Sequence, residues 1–215
     1  MKLYSYFRSS AAYRVRIALN LKGIAYETVP VHLVKDGGQQ LSESYRQLNP
    51  TALVPTLVDG DLAIGQSMAI LEYLEETHPE HALLPADAKG RARVRTIAQF
   101  IACDIHPLDN LRVLKYLKHE MKVSEDAKNT WYKHWVEVGL TAVEAMLAGH
   151  PDTGRYCHGD QPTFADLCLV PQVANARRFD CSLDAMPNIV RIDAACAELA
   201  AFQKAAPANQ PDSEA

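Results

Sequence analysis

Strand and helix signals alternate through the first ~85 residues and then strand signals cease, which commits the chain to an α/β unit followed by an all-helical one. Leu3–Phe7 reads as a strand, and Ala11–Lys22 carries Val15, Ala18 and Leu19 on one helical face before the stop at Gly23. Tyr26–Val31 is a second strand. The polar loop Lys35–Gln40 leads to a short helical piece over Glu43–Leu48 that ends at Asn49-Pro50. Val54–Val58 and Asp61–Ile64 flank Asp59-Gly60, a strong hairpin signal. Ser67 is placed as the N-cap of a helix running to Thr77, with Met68, Leu71 and Leu74 at helical spacing. The order is β-α-β-α-β-β-α.

Residues 78–90 contain Pro79 and Pro85 and read as a linker. Beyond it the pattern predicts helices over Arg91–Lys118, Ser124–Ala148, Thr163–Phe179 and Pro187–Gln203. Thr163-Phe164-Ala165-Asp166 has the spacing of a capping box, with Asp in the place of Glu or Gln. The small, polar tail from Pro207 is expected to fray. The domains expected are therefore residues 1–85 and 91–215.

A net charge of −4 gives no electrostatic footing for nucleic acid or for an anionic membrane surface. Apolar runs break well short of ~18 residues, so no transmembrane helix is expected. Met1-Lys2-Leu3-Tyr4 enters a strand directly, which predicts no signal peptide and a cytoplasmic protein. The 5 cysteines form no CxxC and fit reduced thiols, most of them core residues. The 8 histidines form no HExxH pair, and no metal site is expected.

Chemistry concentrates at three places. Ser9 and Ser10 stand where a helix begins, beside free N–H groups and the positive end of the helix dipole. Two readings fit them, an ordinary N-cap and a seat for an anion such as a thiolate. Pro55 at the start of a strand marks an edge, a bulge or a cis bond. A cis bond would leave the main chain of Val54 open to pair with a peptide ligand. Gln66-Ser67 opens another helix, as a simple cap or as a seat for a carboxylate.

Five segments, in order and in register, resemble the zeta-class glutathione transferases: Ser-Ser-x-x-Tyr-Arg-Val-Arg-Ile-Ala-Leu, Lys-Asp-Gly-Gly-Gln-Gln, Asn-Pro-x-x-x-Val-Pro-Thr-Leu, Gln-Ser-x-Ala-Ile-x-Glu-Tyr-Leu and Ala-Asp-Leu-Cys-Leu-Val-Pro-Gln-Val. The resemblance implies a thioredoxin-like N-terminal domain, an all-α C-terminal domain, a homodimer and glutathione as cofactor. It implies cis–trans isomerisation of a maleyl keto-dicarboxylate, maleylpyruvate ahead of maleylacetoacetate. A conjugating or dehalogenating transferase and a non-catalytic interaction module are the alternatives.

Carried over by position, Ser9 and Ser10 hold the glutathione sulfur, and Val54 with a cis Pro55 pairs with its cysteinyl backbone. Gln66 and Ser67 take the γ-glutamyl carboxylate, Gln40 reaches the glycyl end, and His106 and Asn110 border the same ligand. Substrate carboxylates fall to Arg8, His106, Arg112 and Arg178, with Arg8 beside the reacting sulfur and Arg177 left on the surface. Arg14 and Arg16 are read as structural. Ala11 departs from the cysteine common in the family at that position, so no protein thiol is required for the chemistry.

Overall fold

The computed structural model describes residues 1–214. They divide into two compact units, Met1–Leu83 together with the C-terminal segment from Ala197, and Leu84–Cys196.

The first unit is the expected α/β fold. Strands β1 (Lys2–Ser5), β2 (Glu27–Pro30), β3 (Thr56–Asp59) and β4 (Leu62–Gly65) form one sheet in the order β2-β1-β3-β4. β2 runs parallel to β1 with Leu3 opposite Thr28, whereas β3 is antiparallel to β1 and to β4. The hairpin closes through Gly60 and Asp61, one residue later than the dipeptide signal placed it, with Gly60 at φ 60°. That left-handed backbone is open to glycine without a Cβ clash.

Helix α1 (Ser10–Leu21) begins at Ser10, whose predecessor Ser9 is the N-cap. Every residue from Ser10 to Leu19 is buried, because α1 packs against both α3 (Ser67–Thr77) and α10 (Ala200–Ala205). At its C-terminal end Lys22 Nζ meets Glu75 Oε2 at 2.7 Å and donates to the carbonyl of His78 at 2.8 Å. Glu75 in turn accepts from the Leu83 N–H at 3.0 Å, so one buried pair fastens the ends of α1 and α3 to the segment that leaves the unit.

Residues 197–214 differ from the expected division, which gave them to the helical domain, and from the expected frayed tail. They belong to the first unit because α1 offers them polar anchors. Arg16 Nε donates to the Ala205 carbonyl at 2.9 Å, and Asn20 Nδ2 donates to that of Ala201 at 3.0 Å. Farther on, Asp212 Oδ2 accepts from the Phe7 N–H at 3.0 Å, and Glu214 Oε1 pairs with Lys35 Nζ at 2.6 Å. Polar composition alone predicts a solvated tail, but its acids and amides have partners on the first unit.

The second unit is helical: α4 (Ala88–Gln99), α5 (His106–Asp109), α6 (Leu111–His119), α7 (Glu125–Leu147), α8 (Phe164–Arg178) and α9 (Pro187–Ala197). The single helix expected over Arg91–Lys118 is broken. A wide π turn spans Phe100–Ile105, Pro107 lies at the start of α5 without an N–H to give, and Asn110 leaves helical geometry to cap α6. Two neighbours fix the broken stretch. Trp131 Nε1 donates to the Leu108 carbonyl at 2.8 Å, and a Cβ on Gly139 of α7 would stand 2.5 Å from Ile105 Cγ1. The last predicted helix also splits, α9 ending at Ala197 and α10 starting after Leu199. The capping box of α8 is present, with Asp166 Oδ2 accepting from the Thr163 N–H at 2.8 Å and Oδ1 from that of Cys157 at 2.8 Å.

Candidate active site

In the first unit, the turn from β1 into α1 presents its hydrogen-bonding groups in a defined state. Ser9 Oγ accepts from the Ala12 N–H at 3.2 Å, and the Ser9 carbonyl takes the Tyr13 N–H at 2.9 Å. Among the described residues, the N–H groups of Ser10 and Ala11 have no acceptor. A hydroxyl that accepts from the helix keeps its own proton for an outside acceptor. Ser9, half-buried, and Ser10, buried beside it, bring hydroxyl protons and free N–H groups together at the positive end of the helix dipole, a donor set that suits an anion. The N-cap reading of Ser9 holds, and capping leaves its hydroxyl proton free to donate.

Arg16 holds that turn from behind. It is 0% exposed, and burial lowers its pKa to about 10. Its Nη2 donates to the Phe7 carbonyl at 3.1 Å and its Nη1 to Ser5 Oγ at 3.0 Å, while the Phe7 N–H is taken by Asp212. Arg8 follows as an exposed side chain, its guanidinium 4.9 Å from the Phe7 ring centroid.

The Val54-Pro55 bond is cis. Val54 packs into a buried cluster with Tyr6, Phe7, Val31 and Tyr45. The preceding carbonyl, of Leu53, accepts from Tyr45 Oη at 2.7 Å and from Asn49 Nδ2 at 2.9 Å. The Val54 main chain itself makes no hydrogen bond among the described residues. It is an anchored, unpaired edge of the kind that an extended peptide can join.

Gln66, not Ser67, is the N-cap of α3. Its φ of 63° lies in the left-handed region and its side chain caps nothing. For a non-glycine residue that backbone stores about 1–3 kcal/mol, a cost seen most at binding sites. Ser67 is the first helical residue, buried, with Oγ accepting from Arg14 Nη1 at 3.2 Å. Gln40 lies in a short 3-10 turn, Gln39–Leu41, and its buried Oε1 has no partner. Its amide lies so close to Gly38 that a Cβ there would stand 2.7 Å from Nε2, and Gly38 has φ 112°. Only glycine suits that position.

The remaining candidates belong to the second unit. Asn110 Oδ1 accepts from the Arg112 N–H at 3.0 Å, which turns its Nδ2 toward His106 Nε2 at 3.3 Å. Asn110 Nδ2 donates to His106 Nε2 when that ring nitrogen carries no proton. Arg112 is exposed and its guanidinium has no partner among the described residues. Arg178 is exposed, 5.0 Å from the centroid of Phe179, whose ring stacks on Tyr132 at 3.7 Å. Arg177 lies on the surface as expected, where its Nη1 pairs with Asp193 Oδ2 at 2.5 Å.

Burial raises the thiol pKa of Cys157 and Cys196, and that of Cys181 to about 11, which keeps these sulfurs protonated. Cys103 is exposed. No cluster of potential metal ligands occurs among the described residues. The residue that sequence reasoning undervalued is Arg14, a direct partner of Ser67. A signal existed: α1 contains no acidic residue, so neither of its arginines has a helical ion-pair partner.

Residues 3–82 match the family model of the glutathione S-transferase N-terminal domain. A maleylpyruvate isomerase of Ralstonia sp. is 52% identical over 213 residues, covering 99% of this chain and 100% of that protein. A solved holo structure of maleylpyruvate isomerase, described as a bacterial zeta-class glutathione S-transferase, has a TM-score of 0.96 at 52% identity and covers 100% of both chains. Maleylacetoacetate isomerase of Methylobacterium extorquens AM1, solved with bound malonate and glutathione, has a TM-score of 0.96 at 41% identity, again over 100% of both chains.

Proposed function

The chain belongs to the zeta-class glutathione transferases, and from that membership we propose how its residues divide the work of a glutathione-dependent maleyl isomerase. Glutathione is the cofactor, and the first unit fits it at each of its recognisable groups. The sulfur would meet Ser9, Ser10 and the start of α1. The Val54 main chain would pair with the cysteinyl backbone ahead of Pro55. Gln66 and Ser67 would take the γ-glutamyl carboxylate, and Gln40 the glycyl end. His106 and Asn110 would border glutathione, and substrate carboxylates would fall to Arg8, His106, Arg112 and Arg178. Two such chains would form the working homodimer. No helix among the described residues is long and apolar enough to cross a membrane.

When bound, glutathione supplies a sulfur that adds reversibly to the conjugated double bond, which allows rotation from cis to trans. The protein's part is electrostatic. A free thiol has a pKa near ~8.5. A helix N-terminus contributes about 0.3–1 kcal/mol toward the anion, and up to about 2 where partly buried. A hydrogen bond to a charged acceptor adds roughly 1.5–3 kcal/mol. At about 1.4 kcal/mol per unit, Ser9, Ser10 and the helix end together lower the sulfur's pKa by one or two units. Arginines then balance the substrate carboxylates and the charge that moves onto its carbonyl oxygen. Ser9 acts as a donor, not as a nucleophile, since its oxygen is engaged in the helix cap and no base is hydrogen-bonded to it.

The observation that carries this division is the free N–H pair of Ser10 and Ala11 beside a serine that caps the same helix. Parallel assays on maleylpyruvate and maleylacetoacetate test it. Turnover is expected only with glutathione present, with the thiol returned unchanged and maleylpyruvate the better substrate. No calorimetric binding of glutathione at millimolar concentration would overturn the reading. Arg112→Ala and Arg178→Ala are each expected to raise the KM of the maleyl substrate about tenfold and that of glutathione less than about twofold. Equal effects on both constants would remove these arginines from carboxylate binding.

A further inference from the structure

An arginine cannot shed its charge, so one buried in a fold is matched at its donors by carbonyls or carboxylates. Arg16 obeys this, with the Ala205, Phe7 and Tyr6 carbonyls and Ser5 Oγ around its nitrogens. Arg14, two residues earlier and 1% exposed, does not. Its Nη1 donates to Ser67 Oγ at 3.2 Å, while its Nε and Nη2 are buried without any hydrogen-bond partner. Among the described residues no carboxylate pairs with it.

The residue it touches opens α3, an 11-residue helix whose N-cap side chain makes no hydrogen bond to it. The helix start, the left-handed Gln66 and an under-matched buried cation thus meet at one place. The helix start and the buried cation each favour a negative group there.

We infer that Arg14 is a positioning residue for the γ-glutamyl carboxylate of glutathione, acting through Ser67. A guanidinium only donates, so in the Arg14–Ser67 bond the serine oxygen is the acceptor. The hydroxyl proton of Ser67 is thereby left to point at another acceptor, and the Arg14 charge lies behind it. The hydroxyl becomes a fixed donor toward a carboxylate at the helix start instead of a freely turning rotor. A purely structural arginine would support α1 and α3 without regard to which ligand is bound.

The inference rests on glutathione as the bound tripeptide, and the test separates the two. Dissociation constants are measured by calorimetry for glutathione and for 4-aminobutyryl-cysteinyl-glycine, which lacks only the α-carboxylate of the γ-glutamyl residue. The unaltered protein is expected to prefer glutathione, and Arg14→Met to reduce that preference about tenfold with little change for the analogue. Arg14→Lys, which keeps the charge, is expected to restore most of the preference. Equal weakening of both ligands in Arg14→Met, or an unchanged preference, overturns the role of Arg14. Failure of the unaltered protein to bind glutathione overturns the glutathione reading instead. Should Arg14→Met not fold, the Nε–H resonance of Arg14 in the unaltered protein replaces it, assigned from the Arg14→Lys spectrum. It is expected to shift on saturation with glutathione and not with the analogue; equal shifts overturn the inference.

Discussion

Replacing Ser9 and Ser10 together with alanine is expected to lower kcat by about 10- to 25-fold at neutral pH, with glutathione still bound. A thiol returned to a pKa of ~8.5 is only about 3% ionised at pH 7, and that fraction sets the loss. The free N–H groups of Ser10 and Ala11 are main-chain donors and survive the change, which is why activity is reduced and not abolished. The thiol of the complex should titrate nearer its solution value of ~8.5, so the deficit shrinks as the pH rises past it. Ultraviolet titration of the bound thiolate measures this shift directly. One complication has a control built into the geometry. Ser9 caps α1 through Ala12, so its loss also costs about 1 kcal/mol of stability. Ser9→Asp restores a cap but sets a carboxylate where the sulfur must be anionic. Stability should return in that variant while activity should not. An unchanged kcat and an unchanged thiol titration in the double alanine variant would remove both hydroxyls from the mechanism.

Local signals carried most of the first unit. Each of its four strands and three leading helices overlaps the segment expected for it, and the Glu43–Leu48 helix has the bounds that the sequence indicated. Ser9, Val54-Pro55 and Gln66-Ser67 were legible because a helix start, a strand proline and a helix-opening pair are local patterns. The broken stretch from Phe100 to Asn110 was not legible. Its turns depend on the close approach of α7 at Gly139 and on the Trp131 hydrogen bond, both distant in sequence. The structural reading of Arg16 holds, but the depth to which Arg14 and Arg16 are buried was not legible, for a related reason. Periodicity finds the apolar face of a helix, but α1 is covered by α3 and α10, so charged positions are buried along with apolar ones. What those charges touch is set by tertiary packing. The C-terminal segment gave the opposite error, since its composition resembles a solvated tail and only the structure supplies the partners of Asp212 and Glu214.

Arg16→Met should be the most damaging single change in the first unit, destabilising the protein by about 3–5 kcal/mol. The substitution nearly conserves length but removes the charge and every donor. It strips hydrogen bonds from the carbonyls of Phe7 and Ala205 and from Ser5 Oγ, all reached from a site that is 0% exposed. Those acceptors have no water to turn to, so the loss includes their desolvation as well as the bonds. Asp212, whose charge favours the protonated guanidinium, would also lose its buried counter-charge. For a chain of this size the melting temperature should fall by roughly 6–20 °C. The effect also reaches the site. The Phe7 carbonyl that Arg16 holds lies just before Arg8 and Ser9, so the turn presenting the Ser9 and Ser10 donors is loosened. Turnover measured well below the melting point should therefore fall, and Arg16→Lys, which restores charge and some donors, should recover part of both losses. Urea unfolding at fixed protein concentration, paired with the isomerase assay, checks the two effects together. A stability change under about 1 kcal/mol would show that the clamp is dispensable, and the order of the Ser9 turn would then need another cause.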